Sequence, residues 1–223
     1  MRIDIAITNA VIRGIFRLTC RLDIDDMRNI PRDGPAIIAM NHINFLEAPL
    51  FATFLATPKL AALSKKENLS SLGYRYFASI WNAIPIDRSG VDTESFTRCL
   101  AWVHGGGILG LAPEGTRSKT GILGRGKPGV AMLAQRAGAP VWPVAHWGAE
   151  DFWKNLKAFK RTPIHLRVGR PYMIEPDGSM TKTIRQEVVD EMMASIAMLM
   201  PESYHGEYEG TLGAQVKHLK YIE

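Results

Sequence analysis

The chain is poor in cysteine and has no long apolar run, and each shortage removes a class of protein. Cys20 and Cys99 are the two cysteines among 223 residues. They stand far apart with no partner at zinc-ligand spacing, so two reduced thiols in a cytosolic protein are expected, without a disulfide framework or a metal site. No stretch reaches the roughly 18 to 20 consecutive apolar residues of a spanning helix, so the chain is not expected to cross a bilayer. The opening segment MRIDIAITNAVIRGIFRLTCRL lacks the basic start, apolar block and small-residue cleavage site of a secretory signal, and is expected to stay in the mature chain. Acidic residues are missing locally: between Gly115 and Ala149 there are five lysines and arginines and no aspartate or glutamate.

What is present is the balance of a globular protein, with 46% hydrophobic and 22% charged residues. The length suits a single domain over 1–223, with an N-terminal helix in 1–25, a core in 30–150 and a tail over 201–223. The formal charge of +5 favours phosphate-bearing ligands or an anionic membrane surface as partners. The composition does not set the oligomeric state.

In the first segment Ile5, Ile12 and Phe16, with Val11 and Ile15 beside them, recur at helical spacing, and Arg2, Arg13, Arg17 and Arg21 decorate the remainder. This predicts an amphipathic helix, either docked on the protein's own core or lying in a membrane interface. From Ala36 onward, the short apolar runs AIIAM, KLAALS, AIPID, GILGLA, APVWPVA and IHLRVG alternate with helical patterns over 45–56, 93–104, 127–137 and 181–200. The alternation predicts an α/β fold, a largely parallel or mixed central sheet flanked by helices, with reactive loops after the strand C-termini. The tail from Pro201 either packs across the domain or stays loose.

Four blocks carry chemistry. In AMNHINFLEAPL, residues 39–50, a strand ending near Met40 leaves His42 on the loop before a helix, five residues ahead of Glu47. A histidine can take a proton from an attacking hydroxyl if a carboxylate holds its other nitrogen. The competing reading is a capping-box-like pattern, with Asn44 as cap and Glu47 returning to the Asn44 amide, so the two roles compete for Glu47. In AIPIDRSG, Arg88 ends a strand; it shares an edge with His42 if the two strands are parallel neighbours, and binds phosphate there or merely closes a turn beside Asp87.

The third block, LAPEGTRSKTGILGRGKPG over 111–129, follows another strand. Gly115 allows close backbone approach, Thr116 and Ser118 add hydroxyls, Arg117 adds a fork for phosphate oxygens, and Lys127 opens a helix with a further charge. The block matches neither G-x4-G-K-[ST] nor G-x-G-x-x-G, which argues against an NTPase or a dehydrogenase. In the fourth, GAPVWPVAHWG, Pro143 implies an edge strand or an interrupted ladder, Gly148 a tight turn, and His146 a structural role for want of a nearby carboxylate.

In order and content NHINFLE, IPIDR, PEGTRSKTG and VWPVAHWG resemble the lysophosphatidic-acid acyltransferase family, glycerolipid acyltransferases whose first motif is N-H-x4-D. The resemblance covers about residues 30 to 150. It implies His42 as general base, Glu47 in place of the usual aspartate, and Arg88, Glu114, Gly115 and Arg117 shaping a site for the acceptor's phosphate. Asn44 stands where many members carry serine. Glutamate adds a methylene, which the start of the helix or the rotamer must absorb by about an ångström.

The implied reaction moves a fatty acyl group from acyl-CoA or acyl carrier protein to the free hydroxyl of 1-acyl-glycerol 3-phosphate (lysophosphatidic acid), giving phosphatidic acid, with no other cofactor and no metal. The turn after Val141 to Val144 is where oxyanion-binding amides are expected. A lipid substrate implies a place on the inner face of the cell membrane. DFWKNLKAFKR, residues 151–161, mixes aromatic and basic residues, as a headgroup interface or an ordinary solvated helix with a buried stripe would. The rival readings are another acceptor (glycerol 3-phosphate, a different lysolipid or a glycolipid), a hydrolase, and a non-enzymatic basic module binding phospholipid or nucleic acid. Nucleic acid is not an expected partner, because it leaves NHINFLE and PEGTRS without a purpose.

Overall fold

The computed structural model describes residues 3–87, 92–175, 179–210, 213 and 215–222, so Arg88 lies outside the described residues. At the centre is β2 (Ala36–Met40), buried at every position. A strand covered on both faces needs such an unbroken apolar run. It pairs in parallel with β5 (Ile108–Leu111) and with β6 (Val141–Trp147). Beyond β5 lie β3 (Leu60–Lys65) and then β4 (Ile84–Ile86), also parallel. On the other side β7 (Thr162–Val168) runs antiparallel to β6, and β1 (Cys20–Asp23) runs parallel to β7. Two short strands, β8 (Tyr172–Ile174) and β9 (Leu219–Tyr221), extend β6 at Val141. The sheet is thus mixed, in the order β1-β7-β6-β2-β5-β3-β4.

Side chains alternate between two cores, as a period of two requires. Ile37 and Ala39 face α4 (Thr93–His104), α5 (Pro128–Ala137) and α7 (Lys182–Ala197); Ile38 and Met40 face α1 (Ile3–Thr19) and α2 (Glu47–Phe54). Local chemistry sets the helix ends. Asp92 accepts the Ser95 amide at 2.9 Å and starts α4 on its expected residue, while Pro128 and Gly138, at φ 56°, bound α5. Helix α2 starts at Glu47, two residues later than its apolar pattern suggested, and α7 stops at Ala197 rather than Met200. Helix α3 (Leu72–Ile80) and the short strands β1, β8 and β9 had no counterpart in the sequence reading.

One expectation is settled and one needs correction. Of the two readings of Pro143 the interrupted ladder holds: it lies in an interior strand, where the partner of β6 changes from β8 at Val141 to β7 from Val144 onward. The Pro143 carbonyl accepts from Gly169 N at 2.9 Å, and the return bond that an N–H at 143 would make is missing. Helix α1 carries two apolar faces. Asn9 and Phe16 are buried, and Asn9 accepts from Trp81 Nε1 at 3.2 Å. Ile3, Ile7, Val11, Ile15 and Leu18 point outward, each more than half exposed, so Val11 and Ile15 do not belong to the docked face. No helix of the described residues is long and apolar enough to cross a membrane.

Candidate active site

Strand β2 ends at Met40 and delivers Asn41 and His42 to the C-terminal edge of the parallel strands. Asn41 is locked first. Its side chain donates to His146 O at 2.8 Å and accepts from His146 N at 2.9 Å, bracketing the ends of β2 and β6. The His42 amide donates to Glu114 Oε1 at 2.9 Å, and the His42 carbonyl accepts from Ser118 N at 2.7 Å. His42 is therefore fixed through its backbone before its ring makes any contact.

The ring donates Nδ1–H to Glu47 Oε2. The other carboxylate oxygen, Oε1, accepts the amides of Ile43 at 2.6 Å and Asn44 at 2.8 Å. The cap-like role and the histidine-orienting role thus do not compete for Glu47, because one oxygen serves each. Asn44 turns its Oδ1 to Leu46 N at 2.9 Å and its Nδ2 to Ala149 O at 2.7 Å, which caps the turn ahead of α2 and ties the loop to the segment after β6. Glu47 is buried. Burial alone would raise its pKa, but the His146 and His42 rings and the Asn44 amide outweigh it and hold the carboxyl below its ordinary value. With Nδ1 committed as donor, the Nε2 of His42 keeps a lone pair able to accept a proton, on a side chain one-fifth exposed (20%).

Glu114 is buried as well and aims both oxygens at backbone amides, His42 N and, at 3.0 Å, Gly124 N. Burial raises its pKa, against the pull of those two amides. A carboxylate so engaged repels phosphate; it shapes the site by clamping the 115–127 loop to the His42 loop. Gly115 turns that loop at φ 68°, where a Cβ would stand 3.2 Å from Lys127 Cγ, so the Lys127 stem lies against it. Thr116, Arg117 and Lys127 are exposed. Among the described residues the Arg117 and Lys127 side chains make no ion pair, and the Thr116 and Arg117 amides find no acceptor. The loop offers donors and positive charge to an anion beside His42.

The strand leading to Arg88, β4, is parallel to β2 but separated from it by β5 and β3. Three strand spacings are about 14 Å, so the condition of neighbouring strands is not met. The turn expected after Val144 is absent: β6 runs on to Trp147, and the His146 amide is taken by Asn41. Gly148 does make a tight turn, at φ 91°. Among the described residues no three His, Cys, Asp or Glu side chains are grouped to hold a metal.

Two contributions escaped the sequence. His146, buried, gives its Nε2–H to Asn41 O at 2.9 Å and lies 3.5 Å from Glu47 Oε1, so the carboxylate that seemed to be missing comes from across the sheet. The described part of the tail packs. Tyr204 O accepts from Leu123 N at 2.9 Å, Tyr204 Oη donates to Glu150 at 2.6 Å, and Tyr208 Oη joins Gly126 N at 3.0 Å to Asp190 at 3.1 Å. This strap holds the 121–126 stretch. The repeated tyrosines of SYHGEY were the signal. A cavity of about 910 Å³ lies between α7 and the C-terminal segment and is lined by no residue of 41–47.

Comparison with known proteins agrees with this geometry. The model of a family described as Acyltransferase matches residues 21–147. A 1-acyl-sn-glycerol-3-phosphate acyltransferase of Bacillus subtilis is 24% identical over 72% of this chain and 78% of its own. A chloroplastic 1-acyl-sn-glycerol-3-phosphate acyltransferase of Brassica napus is 28% identical over 57% of this chain, which spans 38% of that longer protein. Among solved structures, the 1-acyl-sn-glycerophosphate acyltransferase PlsC of Thermotoga maritima superposes with a TM-score of 0.65 at 22% identity, over 87% of this chain and 78% of that one, a likeness of fold.

Proposed function

The chain belongs to the acyltransferase family, and on that premise we propose that it acylates the free hydroxyl of 1-acyl-glycerol 3-phosphate to give phosphatidic acid. The carrying observation is the juxtaposition of a proton acceptor with a cationic loop: His42, held by Glu47, joined through Ser118 N to the loop bearing Arg117 and Lys127. The acceptor's phosphate sits on that loop and sets its glycerol hydroxyl against His42 Nε2. As the hydroxyl oxygen attacks the thioester carbonyl, its proton passes to Nε2 and Glu47 steadies the imidazolium. Collapse of the tetrahedral species breaks the C–S bond, and the departing thiolate takes the proton back from His42. The donor is an acyl thioester of CoA or of a carrier protein.

The same proposal places the protein on the inner, cytoplasmic face of the cell membrane, against anionic lipid. The outward stripe of α1 from Ile3 to Leu18, the +5 charge and the two buried free cysteines support this. The test is free-thiol release from palmitoyl-CoA with lysophosphatidic acid, followed by product analysis. Acceptor-dependent release with phosphatidic acid as product supports the reading; release of free palmitate, or no release with either donor class, overturns it.

A further inference from the structure

The surface beside the catalytic loop carries more exposed apolar area than folding requires. Phe45, three residues after His42, is 44% exposed and stacks on Trp153, with ring centroids 5.5 Å apart and planes at 27°. Trp153 belongs to α6 (Phe152–Lys157) and is itself 57% exposed. After α6 the chain turns through Phe159, at φ 54° and fully exposed. A bulky side chain in the left-handed region costs energy, and within the protein this fully exposed ring recovers none of it by packing. Lys154, Lys157 and Lys160 lie within five residues of it in the chain, all exposed; Lys154 meets Asp151 at 3.5 Å, while Lys157 and Lys160 have no ion-pair partner among the described residues.

The turn is tied to the outward stripe of α1. Arg161 donates to Arg17 O at 2.8 Å and to Cys20 O at 2.9 Å, at the end of the helix where Leu18 is 76% exposed. It is tied to the active site too, through the Phe45 stack and the bond from Asn44 Nδ2 to Ala149 O.

We propose that α6 and its turn form a second contact with the surface of an anionic phospholipid bilayer. Phe159 enters below the headgroups, Trp153 and Phe45 lie at headgroup level, and the three lysines meet lipid phosphates. The occupant is a bilayer because exposed cations accompany an apolar tip in one short segment and because that segment is tied to the end of α1, whose stripe faces outward. The contact sets His42 at the membrane boundary, so that an acceptor reaches it over the Phe45–Trp153 stack without leaving the lipid. This last consequence rests on the proposed function; the bilayer contact itself does not.

The test uses vesicles of phosphatidylcholine, with and without phosphatidylglycerol, and the Phe159→Ser protein. Removing an inserted phenyl ring weakens partition onto anionic vesicles by about tenfold or more. Phe159→Cys carrying an environment-sensitive dye, specific because both native cysteines are buried, shows a blue shift on the same vesicles. Phe159→Ser also loses more activity on vesicle-embedded acceptor than on a monomeric short-chain one. Unchanged partition together with an unshifted dye overturns the proposal, as does a wild-type dimer that Phe159→Ser converts to monomer without lipid. Weakened partition in a protein that transfers no acyl group from either donor class leaves the bilayer contact standing and sinks the proposed function instead.

Discussion

The two halves of the site are organised in opposite ways. Around His42 each polar group except the reactive Nε2 is engaged: Asn41 by His146, the His42 amide by Glu114, Nδ1 by Glu47, and the second Glu47 oxygen by two amides. Around Arg117 and Lys127 the backbone is pinned, through Ser118 N to His42 O and Lys127 N to Pro113 O at 2.8 Å, while the side chains are exposed and unpaired among the described residues. Proton transfer needs one geometry held before substrate arrives, whereas binding an anion needs charge that water has not yet surrendered. One half is ordered by the protein; the other awaits its ligand.

The contrast predicts different costs for damage on each side. His42→Ala removes the proposed general base and should lower kcat by about 10² to 10⁴, with thermal unfolding little changed, as single-turnover assays and melting curves would read. Glu47→Gln should lower turnover less but stability more. Glutamine has a single acceptor oxygen and must present N–H₂ either to the Nδ1–H of His42 or to the amides of Ile43 and Asn44. One buried donor goes unmet, about 1 to 3 kcal/mol in denaturant titration. Unchanged stability would mean that the carboxylate is not the hub of the ordered half.

The same hub has a pH signature. The folded pKa of Glu47 lies below the glutamate value of 4.5, so the unfolded chain binds its proton more readily. Its stabilisation is fully present above 4.5 and is lost as pH falls through the lower, folded pKa; stability of the wild type should fall there more steeply than that of Glu47→Gln. Glu114, with a raised pKa, contributes in the opposite sense, so the comparison must be made between variants and not from one acid melt.

On the exposed side, Arg117→Ala and Lys127→Ala should each raise KM for a phosphate-bearing acceptor by about threefold to tenfold, with kcat altered less and the defect shrinking at high salt. A kcat loss as deep as that of His42→Ala would erase the distinction between the halves. The smallest effect belongs to Tyr208→Phe. It removes the hydroxyl joining Gly126 N to Asp190, costs about 1 kcal/mol, and should soften acceptor binding through the loop without touching chemistry.

Local signals made much of this legible from the residues alone. The parallel strands β2 to β6 follow from apolar runs divided by helices, and α4 from the helical pattern over 93–104. His42 and Glu47 were found as a pair, with two rival roles that the structure shows to be shared between two oxygens. The structural role expected of His146 holds, but its carboxylate neighbour is hidden from the sequence, 99 positions away in the chain and 3.5 Å away across the sheet. Glu114 looked like part of a phosphate site because it stands inside the cationic motif; its amide partners, His42 and Gly124, depend on tertiary packing that no local pattern encodes. Pro143 marks either an edge or an interrupted ladder in the sequence, and the pairing decides for the second, because a single sequence does not reveal that a strand changes partners midway. Strands β1, β8 and β9, of three or four residues, are too short to show a period.

The most direct measurement is a double-mutant cycle on acyl transfer between His42→Ala and Glu47→Gln, read as kcat/KM for phosphatidic acid formation by folded proteins. If Glu47 acts through His42, the double variant should be no slower than His42→Ala alone. Losses that multiply would show that the carboxylate works independently of the ring, and would contradict the dyad on which the proposed chemistry stands.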